Sequence, residues 1–387
     1  MKKKALIVVN LAGFLHFLWN DISTLQEMGY EVSVAMNENS AAGPNLIEIP
    51  KLEEMGIAHY QVDFDTKSPI SRQNVQAYKQ LKLILKRNKY ELIHCHTPIV
   101  GILTRMAARK ERKDGTTVIY TTHGFAFTDR SSKKSWLVYF TTEKLMSRFC
   151  DAIITINHED YNNAKKMHCP NVYVIPSVGL DNKRFADVKT NRDEYRASFG
   201  VKPNDHMVLS VGELSSRKNQ KIIVDALGMI DRKEQYVFVI CGTAVVNSTI
   251  EEELKRKASE LGVRIFLAGH RLDIPEINHC ADVAVIPSIR EGFGMTGVEA
   301  LASGVLVVGS DVQGIREYVI PEKTGYLCDP YSPNQFADAI EKIVNLSQEV
   351  KKQMEASCKK KAEEFDVSKS IAAMKNIYKE VLYHDRK

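Results

Sequence analysis

Short runs of apolar residues alternate with longer amphipathic segments along most of the chain. The apolar runs are continuous, which is typical of strands covered on both faces. Between several of them lie segments with a helical period, such as residues 74–88. This alternation predicts β-α-β units and parallel sheets. The predicted strands of the first half are 5–10, 31–36, 58–64, 91–95, 117–122, 151–157 and 171–176.

The second half repeats this pattern after a polar break at residues 177–205, which lack strand character. We therefore predict an α/β protein with domains 1–180 and 181–387. Both would be Rossmann-like, doubly wound parallel-sheet domains that face each other across a cleft, with the strand ends at its mouth. The last segment, about 367–387, is a predicted helix that we expect to pack back on the first domain. The predicted strands of this half are 206–212, 236–242, 263–269, 282–288 and 305–310.

Composition and charge narrow the class of protein. The formal net charge of +5 is too small to indicate a nucleic-acid partner, and the hydrophobic content of 44% is ordinary for a globular enzyme. Seven cysteines include no C-x-x-C pair, which indicates reduced thiols and a cytoplasmic protein. The N-terminal lysines and apolar run superficially resemble a signal peptide, but no small-residue cleavage site follows them. The run "ALIVVN" is therefore predicted to be a buried strand. No window is apolar enough for a membrane helix.

Residues 288–304, "SIREGFGMTGVEALASG", join a predicted strand to a predicted helix through a glycine-rich loop. Gly292 and Gly294 let the backbone approach a ligand closely, and the helix start offers free N–H groups to an anion such as phosphate. Glu291 precedes the helix and Glu299 lies in its second turn. The two carboxylates would therefore contact two ends of one ligand, one a neutral hydroxylated part and the other a ribose. The alternative is that both are solvated charges near a turn.

The segment 282–316 resembles the E-x7-E region of retaining glycosyltransferases of family 4, which have the GT-B fold. Further segments resemble other parts of that family in the same order, over nearly the whole chain. They match the diphosphate-binding loop (211–227), the segment against the nucleotide base (267–283) and the elements around the sugar site (93–105 and 120–125). Within the family, the chain resembles bacterial capsule, exopolysaccharide and O-antigen assembly transferases.

The resemblance implies roles for individual residues. Glu291 would contact the donor sugar, Glu299 the ribose hydroxyls and Lys218 the diphosphate. His123 would lie near the sugar and the reaction centre, so the catalytic candidates are His123, Glu291 and Lys218. The donor-binding candidates also include Gly13, Gly212, Arg217, Arg271, Gly292, Phe293, Gly294, Met295 and Thr296.

Two positions depart from the family pattern. An arginine usually follows the glycine at 212, but this chain has Glu213. Either one positive charge is missing at the diphosphate, or Arg217 supplies it. The first loop of the N-domain usually carries a Gly-Gly pair near the phosphates, whereas here Gly13 stands alone.

We expect no metal and no other cofactor. His94 and His96 alternate along a predicted strand and therefore face one side, but no further ligand is evident at metal-site spacing. The D-x-D sequence at 63–65 ends a predicted strand rather than standing in a loop. Protein cations and helix amides would therefore stabilise the departing diphosphate. His96 is assigned to the acceptor side.

Basic residues cluster in two consecutive segments of the first domain, 105–113 and 129–149. Such a surface either rests on an anionic membrane leaflet or is a solvated helix face. The residues assigned to the acceptor or membrane side are Arg105, Lys133, Lys134 and Trp136.

Together these features predict a metal-independent retaining glycosyltransferase, cytoplasmic and peripheral on the inner face of the plasma membrane. It would move a sugar from a nucleotide diphosphate, with UDP expected, to a lipid-linked or saccharide acceptor in surface polysaccharide biosynthesis. The alternatives are another GT-B enzyme, such as a sugar-nucleotide epimerase, and a non-catalytic sugar-nucleotide-binding subunit. A dinucleotide oxidoreductase is disfavoured because the glycines of "GFGMTG" follow a late strand rather than the first one.

Overall fold

The computed structural model describes residues 2–39, 45–66, 68–186, 188–245 and 248–383. The chain divides into two compact units. The first comprises the residues up to Val178 together with those from Ser368 onward, and the second is Gly179–Val367. The chain therefore leaves the first unit close to the predicted boundary and returns to it at Ser368. The last helix accordingly counts with the first unit, and residues 384–387 of its predicted range lie outside the described residues.

The first unit is a single seven-stranded sheet with helices between the strands, because its apolar runs are short and its intervening segments have a helical period. Its elements are β1 (Lys3–Leu11), α1 (Trp19–Glu27), β2 (Tyr30–Asn37), α2 (Asn45–Glu54), β3 (Ala58–Gln61), α3 (Arg72–Arg87), β4 (Leu92–His96), α4 (Pro98–Ala107), α5 (Arg109–Lys113), β5 (Thr117–Thr121), α6 (Lys133–Met146), β6 (Ala152–Thr155), α7 (His158–Ala164) and β7 (Asn171–Val174).

The second unit repeats the design with six strands, and the chain then returns to the first unit as one long helix. The elements are α8 (Asn182–Ala186), α9 (Arg192–Ser198), β8 (His206–Val211), α10 (Lys221–Met229), β9 (Tyr236–Cys241), α11 (Ile250–Leu261), β10 (Arg264–Gly269), α12 (Ile274–Cys280), β11 (Val283–Ile286), α13 (Met295–Ala302), β12 (Val307–Ser310), β13 (Gly325–Cys328), α14 (Pro333–Val344), α15 (Gln348–Ala362) and α16 (Val367–Tyr383).

Both sheets are parallel and doubly wound. The first has the order β3-β2-β1-β4-β5-β6-β7 and the second β10-β9-β8-β11-β12-β13. Every strand pair in the two sheets is parallel. The strand order reverses between β1 and β4 in one sheet and between β8 and β11 in the other. Doubly wound sheets bind ligands at such reversal points, at the carboxyl ends of the strands.

The predicted strands are confirmed with small shifts at their ends, and one strand escaped prediction. β3 ends at Gln61, three residues before the predicted end at 64, so the D-x-D sequence lies beyond the strand. β13 was missed because its four residues, Gly325–Cys328, include a glycine and only one aliphatic side chain and so form no apolar run. Among the described residues, no helix combines the length and the apolar character needed to cross a membrane.

Arg105 was assigned to the membrane side, and the structure shows that this assignment is wrong. Its side chain is fully buried, and one guanidinium nitrogen lies 2.7 Å from a carboxylate oxygen of Glu143 on α6. The guanidinium also lies 4.1 Å from the ring centroid of Tyr120. A charge removed from water in this way requires its partner, so Arg105 connects α4 to α6 instead of reaching the surface.

Trp136 is half-buried and packs against the core of the first unit. Its ring stacks on Phe140 with the centroids 4.3 Å apart and meets Phe127 edge-on at 5.9 Å. The large apolar side chains that α6 exposes are its neighbours Leu137, Val138, Tyr139 and Leu145. Trp136 is thus less exposed than these neighbours, and its membrane-side assignment stays a prediction.

Candidate functional site

The charged candidates of the second unit follow two neighbouring strands at the reversal point of its sheet. Gly212 comes directly after β8, and Arg217 and Lys218 lie in the loop that follows. Glu291 lies in the loop between β11 and α13. Because β8 and β11 are paired, their carboxyl ends open at the same edge. The topology therefore brings together residues more than 70 positions apart in sequence.

Three donors converge on a single carboxylate oxygen of Glu291. The Lys218 ammonium donates to this Oε2 at 2.5 Å, the Ser288 hydroxyl at 3.1 Å and the Arg217 guanidinium at 3.4 Å. Burial alone would raise the pKa of Glu291, but Lys218 and Arg217, with the Ser288 hydroxyl, hold it below its ordinary value. The carboxylate is therefore ionised at neutral pH. Sequence reasoning found both cations and Glu291 but did not predict that they form ion pairs.

Backbone hydrogen bonds fix the relative positions of the loops that carry this cluster. The Ile289 N–H donates to the Arg217 carbonyl at 2.9 Å, and the Gly314 N–H donates to the Glu291 carbonyl at 3.2 Å. Backbone donors that are buried require such partners. The cluster is thus held by the main chain as well as by its own charges.

Steric constraints explain two glycines of the 288–304 segment. Gly294 is the N-cap of α13 with φ +83°, a left-handed conformation that side chains disfavour. A Cβ at Gly297 would lie 2.3 Å from the Tyr318 hydroxyl, so any other residue there would displace the Tyr318 side chain. Tyr318 was not identified from the sequence. Its buried hydroxyl has no hydrogen-bond partner among the described residues.

The remaining candidates of this segment are either buried in the core or half-buried at the start of α13. Phe293 is buried, and its ring centroid lies 5.8 Å from that of Tyr318. Gly292 lies in the same loop, and Met295 and Thr296 form the half-buried first turn of α13. Phe293 therefore contributes to packing. Met295 and Thr296 lie in the first turn of α13, where the backbone N–H groups have no partner within the helix.

Glu299 is a largely buried carboxyl group in the second turn of α13. Within the described residues its carboxylate makes no hydrogen bond. Burial raises its pKa to about 7, and Arg184 offsets this only in part. A carboxylate that is desolvated without compensation is disfavoured in its ionised form. Donor hydroxyl groups of a ligand would supply the missing hydrogen bonds.

Glu213 and Arg271 stand apart from the charged cluster. The Glu213 side chain is exposed, while its carbonyl accepts a hydrogen bond from the Gln220 amide at 2.8 Å. Arg271 follows β10, the edge strand, and forms two hydrogen bonds with Asp273 at 2.8 and 2.5 Å. β10 and β11 are three strand spacings apart, or roughly 14 Å. A ligand that contacted both Arg271 and Glu291 would be extended along this sheet edge.

Histidines gather at the reversal point of the first sheet. His94 and His96 on β4 have ring centroids 4.1 Å apart, which confirms that they face one side of the strand. His96 Nδ1 lies 3.2 Å from Nε2 of His123, which follows β5. His94 is bonded to the hydroxyls of Tyr378 at 2.8 Å and Thr121 at 2.7 Å. Tyr378 belongs to α16, so sequence proximity gave no indication of this contact.

All three imidazoles are neutral at physiological pH. Burial lowers the pKa of His94 to about 3, that of His123 to about 4 and that of His96 well below its ordinary value. The neighbouring rings lower the values for His94 and His96 further. His123 therefore acts as a neutral hydrogen-bonding group rather than as a cation.

A small cavity lies beside these histidines and includes a carboxyl group that the sequence did not indicate. It has a volume of about 20 Å³, and Asp21, His96 and His123 contribute to its lining. Burial raises the pKa of Asp21 to about 7. Gly13 precedes Asp21 in the sequence and belongs to the 3₁₀ helix Ala12–Phe17. The neighbouring Phe14 contacts the His123 ring edge-on at 4.8 Å.

The same region contains the one group of described residues whose side chains could hold a metal ion. Single ligand atoms of Asp21, His94 and His96 lie within 4.8 Å of one another. Both nitrogens of His94, however, are already hydrogen-bonded to hydroxyl groups. A metal would have to displace one of these bonds, so the donor set fits a metal poorly. The absence of a metal requirement remains a prediction.

Two Rossmann-like units, each with a parallel sheet, are typical of the GT-B fold. The profile described as glycosyl transferases group 1 matches residues 191–365, and the one described as glycosyltransferase family 4 matches residues 18–178. EpsD of Bacillus subtilis strain 168, named as a glycosyltransferase, is 31% identical over 96% of this chain and 93% of its own length. The chain belongs to the glycosyltransferase family that these two profiles and EpsD represent.

Two further comparisons extend this finding. An Escherichia coli protein named UDP-Gal:alpha-D-GlcNAc-diphosphoundecaprenol alpha-1,3-galactosyltransferase is 28% identical, over 80% of this chain and 82% of its own length. Anabaena HepE, solved with UDP-glucose, has the same fold at 19% identity, with a TM-score of 0.77 over 97% of this chain and 98% of that one. The family matches and the names of these relatives show that the chain is an enzyme of the glycosyltransferase class.

Replacing Glu299 with glutamine should stabilise the ligand-free protein at alkaline pH. The folded-state pKa of about 7 exceeds the ordinary 4.5, so the destabilisation due to Glu299 grows as pH rises between these values. The gain in the free energy of unfolding should reach about 3 kcal/mol at pH 8 and be small at pH 5. Denaturant unfolding at both pH values measures it. The control is Glu260→Gln, which changes an exposed carboxylate and should have no such effect. Equal effects of Glu299→Gln at pH 5 and pH 8 would contradict the burial argument.

Proposed function

We propose that this glycosyltransferase is a retaining, metal-independent enzyme that transfers a sugar from a UDP-sugar to a lipid-linked or saccharide acceptor. The proposed pathway is surface polysaccharide biosynthesis, and the proposed location is the cytoplasmic face of the plasma membrane. The observation that carries the donor assignment is the cluster of Arg217, Lys218 and Glu291 beside the start of α13.

This cluster fits a diphosphate leaving group. Lys218 and Arg217 carry two positive charges, and the first N–H groups of α13 add the positive end of a helix dipole. Fixed donors and charges of this kind stabilise negative charge that develops in the transition state without reorganisation. In the proposed reaction the diphosphate takes over both cations. Glu291 is then free to contact a hydroxyl of the transferred sugar.

Glu299 fits the ribose of the donor nucleotide. It lies four residues, or about one helical turn, beyond the start of α13, about 6 Å along the helix axis. Its carboxylate has no hydrogen bond among the described residues, and burial disfavours its charge. Two ribose hydroxyls would donate to it and remove that penalty. The phosphate and ribose ends of one nucleotide would thus lie along the same helix.

The choice of UDP and of the acceptor rests on relatives. HepE was solved with UDP and with UDP-glucose, and the E. coli relative is named for a UDP-sugar donor and a diphosphoundecaprenol-linked acceptor. The family resemblance supports retention of configuration and a contact between His123 and the transferred sugar. The neutral state of His123 suits hydrogen bonding to a hydroxyl group.

The exposed face of α6 is proposed to contact an anionic membrane. Leu137, Val138 and Leu145 are exposed on this helix, and Lys133 and Lys134 are exposed in its first turn. Exposed cations of the neighbouring α5 segment, Arg109, Lys110 and Lys113, add to the positive charge. Apolar side chains together with cations are typical of helices that lie at a lipid surface.

Turnover should be supported by a UDP-sugar and should persist in EDTA. A panel of UDP-, GDP- and ADP-sugars would be tested for thermal stabilisation and for nucleotide release. Glu299→Ala should weaken binding of the preferred donor by roughly 10- to 150-fold, since a hydrogen bond to a charged group contributes about 1.5–3 kcal/mol. Glu260→Ala, at an exposed position, should bind the donor normally.

Three results of this panel would contradict the proposal. Loss of activity in EDTA that Mg²⁺ or Mn²⁺ restores would overturn the metal-independent reaction. Conversion of one sugar nucleotide into another without nucleotide release would identify an epimerase. Unchanged donor affinity of Glu299→Ala would overturn the ribose assignment.

Lys218 and Arg217 should share the stabilisation of the diphosphate. Lys218→Ala should lower kcat at saturating donor by about 10²-fold, the size found for loss of one fixed transition-state donor. Arg217→Ala should have a smaller effect because its guanidinium lies farther from Glu291 and is more exposed. Lys221→Ala, an exposed lysine at the start of α10, is the matched control. If only the Arg217 variant is impaired, the role given to Lys218 is wrong.

The protein should sediment with anionic phosphatidylglycerol vesicles at low salt and be released at high salt. Each cation near an anionic surface contributes about 1 kcal/mol, and the attraction decays within a Debye length. The double variant Lys133→Glu/Lys134→Glu should lose most of this binding. The control Lys359→Glu/Lys360→Glu makes the same charge change at exposed positions on α15 and should retain it. Equal binding of both double variants would show that α6 is a solvated face.

A further inference from the structure

The His96 side chain is buried and has one hydrogen-bond partner within the part of the chain that the structure describes. Its side chain is completely buried at the end of β4. Nδ1 lies 3.2 Å from His123 Nε2, whereas the buried Nε2 has no partner among the described residues. The proposed role of His123 does not account for His96, whose side chain is completely buried.

A neutral imidazole carries one proton, on one of its two nitrogens. If His96 held its proton on Nε2, a buried N–H would be left without an acceptor, which is rare in folded proteins. If the proton is on Nδ1, it is donated to His123, and only a lone pair on Nε2 remains unpaired. The second arrangement is the less costly one, so the His96–His123 bond has a defined direction.

We propose that His96 is a positioning residue that donates from Nδ1 to His123 Nε2 and thereby holds His123 in its Nδ1–H tautomer. The inference rests on the proposed contact between His123 and the transferred sugar. It adds that His123 offers this sugar a hydrogen-bond donor, the Nδ1–H. His123 makes no other hydrogen bond within the described residues, so Nδ1 remains available for a ligand hydroxyl. A hydroxyl oxygen would accept from it.

The neighbouring groups leave one competing arrangement. Asp21 has a carboxylate oxygen within 4.8 Å of a His96 nitrogen, although no direct hydrogen bond joins them. If Asp21 accepted a hydrogen bond from His96 Nε2–H, directly or through a bridging group, both tautomers would reverse. His123 would then carry its proton on Nε2 and offer a lone pair at Nδ1. His94 takes no part, because its two nitrogens are bonded to Tyr378 and Thr121.

Nitrogen-15 NMR of histidine-labelled wild-type protein at pH 7 distinguishes these arrangements, because protonated and bare ring nitrogens resonate far apart. The His123 signals are assigned by their loss in His123→Gln. We expect a protonated Nδ1 and a bare Nε2, the opposite of the tautomer that free histidine favours in water. A protonated Nε2 in His123 would overturn the inference, and Asp21→Asn should leave the expected pattern unchanged.

Variants at His96 test whether the bond matters for the reaction. His96→Asn keeps an amide donor near the position of Nδ1, whereas His96→Leu fills the space without a donor. The leucine variant should lower kcat about tenfold, because that is the effect of losing one hydrogen bond. The donor KM should change little. The asparagine variant should recover most of that loss. Equal kcat values for the two variants would overturn the positioning role.

A matched control separates this role from general packing. Tyr378→Phe removes a hydroxyl that is bonded to His94 but leaves the His96–His123 bond in place. It should keep both the His123 tautomer and kcat. The NMR readout needs no substrate, so it tests the inference even if no nucleotide sugar is turned over. An active glycosyltransferase with His123 protonated on Nε2 would instead leave the proposed function intact and overturn the inference alone.

Discussion

Both units depend on one constraint, which is that parallel sheets with covered faces leave their polar chemistry only at the strand ends. Central strands such as β4, β5, β8 and β11 are almost wholly buried, and their side chains serve the core until the chain turns. Where the strand order reverses, adjacent connections diverge and leave an opening at the carboxyl edge. The histidines of the first unit and the ion pairs of the second both lie at such an opening.

The two units compensate for the desolvation of polar groups at these openings in opposite ways. In the second unit Glu291 stays ionised because two cations and a hydroxyl compensate for its burial. In the first unit, no ion pair with these imidazoles is present among the described residues, and burial keeps the rings neutral. A hydrogen bond joins His96 to His123. The difference suits the proposed reaction, in which a diphosphate requires charge and a sugar hydroxyl requires oriented neutral groups.

Local patterns in the sequence predicted most of the fold and part of the site. Apolar runs located all strands except β13, and the loop before α13 was predicted because its glycines and its acid are contiguous in sequence. Groups that meet only through the tertiary fold were missed, such as Tyr378 beside His94 and the Asp21 carboxyl beside His96. Arg105 was misplaced because charge predicts exposure, whereas Glu143, distant in sequence, provides the partner that permits its burial.

The acid at position 213 illustrates how the fold tolerates a departure from the family pattern. Glu213 directly follows Gly212, but its side chain is exposed, and the main chain is held by the bond from Gln220 to its carbonyl. Its charge is therefore solvated and screened, which limits its effect on the cluster. Arg217 lies four residues further along the same loop and reaches Glu291. The loop thus keeps two cations at the carboxylate although residue 213 is an acid.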